Sequence, residues 1–386
     1  MTSIAAALVS AQAAWSATHG SVVQLRDPTD LGGSERSAVY RVAVEGAADL
    51  PATAVVKAYA LTELGAPPEF ADEVAAAAFC PFGARLLAHD PGAAVAVFSD
   101  LGGHGSLADL LLGVDEAAAR AGLLAWARAL GSMAAWSVGR RAEYDAARAA
   151  LGLALTGDRL AEHLAESSRT GLAALLAFTG ARSLDAALDD ALGASVESEL
   201  RDAQAVLDAG ALTVFSPADA CPDNNLLTPD GIRLLDYESA GFHSAFLDAV
   251  YCRMPFASCW CVFEIPAGLA ADVERTYRDL LVAAVPEAAD DAAWETGMLR
   301  AEVLWVLSQA RWLLPRAEGD NGLMGGSLGG PPRRTLLVHR WRRLAGSAPA
   351  RSRFPHLVDV LERAAGEADA TWGAAPALGL YPAFSG

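Results

Sequence analysis

Apolar positions recur with two different periods along the first hundred residues. Ile4 to Trp15 carries Ala, Leu and Val at helical spacing and predicts a short packing helix. Val22–Leu25, Ala38–Val44, Ala52–Tyr59, Ala84–Asp90 and Ala94–Gly102 have strand patterns, with a polar turn, Leu31–Ser37, between the first two. Glu69–Phe79 returns to helical spacing, placing Glu69 and Glu73 on one side. From Glu116 to about Gly210 the pattern is helical, most clearly over Ala117–Val138. Gly131, Gly152, Gly157, Gly171, Gly180 and Gly193 mark breaks or tight contacts there. An apolar run, Leu212–Phe215, then leads into a polar loop. A second run, Gly231–Leu235, ends on Asp236-Tyr237-Glu238. Helices resume after Leu269, notably Ala292–Leu314, where Glu302, Trp305, Gln309 and Trp312 recur at helical spacing. Gly319–Pro332 is Gly-rich and expected to be a mobile loop, and Arg333, Arg334, Arg340, Arg342 and Arg343 predict a solvated basic face. The sum is an α+β chain, β-rich at its start and helical thereafter.

Composition narrows the class. A chain of 386 residues that is 53% hydrophobic can bury a large core and suits two domains or one bilobal unit. A net charge of −18 argues against a duplex nucleic-acid binder, which needs clustered Lys and Arg. Acidity serves solubility first and a cationic substrate second. The five cysteines are odd in number and show no disulfide-scaffold spacing, so a reduced, cytoplasmic compartment is expected. Cys252, Cys259 and Cys261 with His243 lack paired C-x-x-C spacing and lie among apolar residues, which reads as core and not as a zinc site. No Lys or Arg precedes Arg26, unlike a signal peptide, and Glu264 and Pro266 interrupt the best apolar stretch, so no membrane span is expected. Of the 29 basic residues only Lys57 is lysine, a compact ammonium where every other basic position carries a guanidinium.

The chemistry-bearing pattern is Asp219 with Asn224 five residues later, then a hydrophobic strand ending in Asp236. Kinases use that arrangement to orient a hydroxyl and hold magnesium against ATP phosphates. Asp219 would accept the hydroxyl proton, while Asn224 and Asp236 offer the oxygen ligands that Mg2+ prefers. On the third strand Val55, Lys57 and Tyr59 share a face, so that Val55 would roof an adenine and Lys57 reach the phosphates. Gly32, Gly33 and Ser34 at the hairpin tip could lay backbone N–H groups over those phosphates.

These segments resemble the aminoglycoside phosphotransferase family of small-molecule kinases, over about Gln24 to Tyr251. The resemblance implies a bilobal protein-kinase-like fold, with residues 1–101 as the nucleotide-binding lobe and 102–386 as a helical lobe. It also implies Glu73 as the partner orienting Lys57, and backbone groups of Phe98, Ser99, Asp100 and Leu101 against the adenine edge. Asp248 is implied as a brace of the catalytic loop, and the C-terminal region as the acceptor pocket. Ser106 is a candidate N-cap after the connection. The chain departs from the family pattern at Pro217 and Ala218, where His-Gly is usual, and at Cys221, where a second His is frequent. The expected function is ATP-dependent phosphorylation of a small hydroxylated molecule, such as an aminoglycoside or other natural product. The alternative is a nucleotide-binding pseudokinase with a regulatory role.

Overall fold

The computed structural model describes residues 3–34, 36–153, 158–180, 191–254, 256 and 258–386. Its first part is a five-stranded antiparallel sheet of order β1-β2-β3-β5-β4, made of β1 (Gln24–Gly33), β2 (Ser37–Glu45), β3 (Thr53–Tyr59), β4 (Leu86–Asp90) and β5 (Val95–Ser99). Alternation gives the sheet two apolar faces. Helix α1 (Ile4–His19) covers one, packing Ala7, Ala11 and Trp15 on Val42, Val56 and Val97. Helix α2 (Pro68–Phe79) covers part of the other, with Phe70, Val74 and Ala77 against Tyr59, Ala96 and Phe98. Pro68 sits at the start of α2, where a missing N–H costs nothing.

The rest is mainly helical and holds the largest core. Ser106 caps α3 (Leu107–Leu111) in a reciprocal capping box with Asp109, and Asp115 caps α4 (Glu116–Ser137). Helices α5 (Arg141–Ala150) and α6 (Arg159–Phe178) follow. Gly171 is a tight contact: a Cβ there would meet the Leu307 carbonyl at 1.8 Å, so glycine lets α6 press on the long helix Asp291–Gly319. Gly152 and Gly180 instead end helices, and Gly157 lies outside the described residues.

Two small antiparallel pairs carry the polar motif. Strand β6 (Thr213–Ser216) pairs with β9 (Gly241–Ser244), and β7 (Asn225–Thr228) with β8 (Gly231–Leu234). The Leu234 N–H donates to the Phe82 carbonyl at 3.1 Å and the Leu227 N–H to Gly105 at 2.9 Å, joining the hairpin to the sheet part and its connection.

One expectation changes. The five-arginine segment is the helix Arg333–Ala345, but it is not a solvated face throughout: Arg340 is buried and donates to Gln309, whose amide lies on the facing long helix. The Gly-rich segment before it is closed on itself, with Met324 N–H donating to Pro331 at 2.8 Å and Arg333 N–H to Gly322 at 3.1 Å. Among the described residues no helix is long and apolar enough to cross a membrane.

Candidate active site

The sheet and the β7–β8 hairpin enclose a cleft of about 670 Å³, within the range of small-molecule sites. Its wall includes Gly33, Ser34, Val55, Lys57, Glu73, Phe98, Ser99, Asp100, Leu101, Asn224 and Asp236. Cross-strand register explains why these sheet residues converge. Val39 opposes Lys57, Arg41 opposes Val55, and Val55 opposes Phe98, so all five side chains share the cleft face.

Lys57 is the electrostatic centre. Its Nζ donates to Glu73 at 2.5 Å and to Asp236 at 2.7 Å, with the ammonium almost fully buried. Burial opposes the charge, but Glu73 and Asp236 outweigh it and raise the Lys57 pKa, so the lysine stays charged. Burial in turn pushes the Glu73 carboxyl up, against the pull of Lys57. The Tyr59 hydroxyl also donates to Glu73, fixing the carboxylate from the same strand. Glu69, on the same helix, pairs instead with Arg159 at 3.0 Å. Asp72 is buried between Arg148 and Arg159, tying α2 to α5 and α6.

Asp236 has φ of 60°, a left-handed conformation that turns the chain sharply where β8 ends. The Leu235 N–H donates to the Asn224 carbonyl at 2.8 Å, so the two proposed oxygen ligands are held side by side through the backbone. Asn224 Nδ2 points at the Asp219 carbonyl, 3.2 Å away. That orientation leaves its amide oxygen for another partner. Two hard oxygens beside a charged lysine fit a magnesium–phosphate group.

Asp219 itself is not on the cleft wall. It lies beyond Asn224, where the Ser258 hydroxyl donates to its Oδ1 at 2.7 Å. Burial raises its pKa; hydrogen bonds from Cys221 and Ser258 counter this, and Asp236 and Asp223 add to it. The loop is shaped without the usual His-Gly. Ser216 Oγ accepts from the Ala218 N–H at 2.9 Å and donates to Asp248 at 2.8 Å. Asp248 thus braces the loop through a serine. Ala218 adopts φ of 64°, the region a glycine would enter without strain. Beneath the loop, Phe79, Tyr144, Phe215, Tyr237 and Phe242 form a contiguous aromatic cluster.

At the hairpin tip the Gly32 N–H donates to Asp30 at 2.7 Å and the Ser34 N–H to Ser37 at 2.8 Å; Gly32 is off the cleft wall, while Gly33 and Ser34 are on it. Gly33 is required by close approach, since a Cβ would meet the Ser37 carbonyl at 2.2 Å. At the base edge the Ser99 N–H donates to Arg85 at 2.8 Å, and the Asp100 carboxylate is held by Arg41 at 2.7 Å. His243 is buried against Asp158, and Cys259 lies beside both Cys261 and Cys221.

Arg36 and Arg41 also line the cleft and were missed as site residues; Arg36 pairs with Glu238 at 2.7 Å. For Arg41 the signal was available, since a period of two from Val39 puts it on the Lys57 face. Ser258 had no such signal, because it comes from a segment with no periodicity.

No family model and no curated protein matches the chain. Among solved structures it is similar to choline kinase from Cryptosporidium parvum, with 12% identity, coverage of 87% of this chain and 93% of that one, and a TM-score of 0.50. It is also similar to an ethanolamine kinase from Plasmodium vivax (10% identity, 89% and 82% coverage, TM-score 0.45). A choline/ethanolamine kinase family protein from Mesorhizobium loti gives 16% identity, 87% and 92% coverage and a TM-score of 0.46. The chain has the bilobal protein-kinase-like fold: a small antiparallel-sheet part and a larger helical part.

Proposed function

We propose that the protein is an ATP-dependent phosphotransferase that phosphorylates a hydroxyl of a small molecule, related to the aminoglycoside phosphotransferases. Residues 1–101 would serve as the nucleotide lobe. The observation that carries this reading is the buried Lys57, held between Glu73 and Asp236 at 2.5 and 2.7 Å, with Asn224 on the same cleft wall. A structural ion pair needs one carboxylate. Here the second belongs to the turn that presents an oxygen to the cleft, and such an array neutralises phosphate charge.

Val55 and Phe98 would cover one face of the base, Lys57 hold the phosphates, and Asn224 and Asp236 hold Mg2+. When bound, the metal supplies Lewis-acid neutralisation of the phosphate oxygens. Asp219 would orient the acceptor hydroxyl and take its proton, a task aided by its raised pKa. Ser258 fixes the rotamer of that carboxylate, and the Ser216–Asp248 pair keeps the loop turned in the absence of the usual His. The acidic chain favours acceptors that also carry an amine.

The test is transfer from ATP and Mg2+ to a panel of amino alcohols, amino sugars and nucleosides, read as phosphorylated product by mass spectrometry. Product formed by wild type and lost in Asp219→Asn supports the reading. ATP binding with no transfer to any acceptor would favour a pseudokinase instead.

A further inference from the structure

Beside Asp219 the fold assembles two soft thiol ligands and a carboxylate that phosphoryl transfer does not use. Cys221 comes from the catalytic loop, Cys259 from the segment after Tyr251, and Asp223 from the turn before Asn224. One ligand atom from each lies within 4.8 Å of the others, with both sulfurs buried and Asp223 exposed. Tetrahedral zinc sets sulfur and oxygen ligands roughly 3.4–3.8 Å apart, so the group closes on an ion with small side-chain movements. Its ligands are also oriented from outside, as in bound metal sites. The Trp260 indole N–H donates to Asp223 Oδ2 at 2.8 Å, and Asp223 Oδ1 faces the Cys259 sulfur at 3.9 Å. The Cys261 N–H donates to Cys259 Sγ at 3.4 Å, and the Cys261 sulfur lies 3.0 Å from it.

We propose that Cys221, Cys259 and Asp223 Oδ1 bind one Zn2+ ion, tying the 258–261 segment to the catalytic loop. Binding releases the two thiol protons, and solvent completes the coordination on the exposed side of Asp223. Thiolate ligands select Zn2+ over Mg2+, whereas Asn224, next in the chain, offers only a hard amide oxygen. Adjacent residues therefore serve two cations of different softness. The ion also fixes Ser258, the neighbour of Cys259 that holds Asp219.

The experiment titrates the full chain, reduced and freed of metal, with Zn2+ alone and with Co2+ alone, both in excess Mg2+. The expected result is one Zn2+ per chain and, with Co2+, a thiolate charge-transfer absorption. Trp260→Phe should weaken Zn2+ by about 10- to 100-fold, the range for an orienting neighbour. Cys259→Ser should weaken it further, and Cys252→Ser should bind as wild type. Asp223→Asn, at an exposed position, gives the same test if Cys259→Ser fails to fold. A folded wild type that binds no stoichiometric Zn2+ overturns the proposal. So does unchanged affinity in both ligand variants, or a loss in Cys252→Ser equal to that in Cys259→Ser.

Discussion

The two ends of the site hold their carboxylates in opposite ways. At the Lys57 end, Glu73 and Asp236 face a buried ammonium, whose charge is compensated before any ligand arrives. At the Asp219 end, the groups acting on the carboxyl are a hydroxyl, a thiol and two further carboxylates. The first arrangement suits binding of an anion by exchange of partners. The second leaves the carboxyl with a raised pKa, as the proposed base requires. Charge compensation and basicity are thus separated in space, with Asn224 between them.

The comparison breaks most severely at Lys57. Lys57→Ala leaves Glu73 buried without its cation, and loss of one partner of a buried pair costs about 3–5 kcal/mol. Denaturant unfolding should show that loss, calorimetry should show lost ATP binding, and Arg85→Ala, at an exposed position, should show neither. Unchanged ATP use in the Lys57 variant would remove it from the site.

At the other end, Asp219→Asn should keep ATP affinity while turnover falls by roughly 10²- to 10⁴-fold, the contribution of a positioned base. In wild type the acidic limb of kcat/KM should lie above the pH at which an ordinary aspartate titrates, with rate lost as pH falls. A proportionate loss of affinity would place Asp219 in the nucleotide site.

The brace gives a third test. Burial pushes the Asp248 pKa from 3.8 to about 6, against the pull of Ser216 and His243, and its Oδ2 has no hydrogen-bond partner among the described residues. Because the folded pKa is the higher one, this group's contribution is fully present below pH 3.8 and declines as pH rises to about 6. The decline is roughly 3 kcal/mol. Asp248→Asn should flatten it in unfolding titrations; an unchanged pH dependence would assign it to other groups. The smallest effect is expected at Ala218, where glycine would relieve left-handed strain of about 1–2 kcal/mol but add unfolded-state freedom. Ala218→Gly should therefore raise stability by no more than about 1 kcal/mol, measured as a small upward shift in Tm.

The sequence alone determined what depends on short spacing and on strand or helix period. Asp219 and Asn224 lie on one loop, Val55 and Lys57 on one face, and Glu73 one helical turn beyond Glu69, so each was legible from local geometry. Tertiary structure decided what depends on where distant segments close. It placed Ser258 on Asp219, Cys259 beside Cys221, Arg340 under the long helix, and the tip N–H groups on Asp30 and Ser37. Those contacts join residues with no shared period. Burial and hydrogen-bond satisfaction choose such partners only once the whole chain is packed.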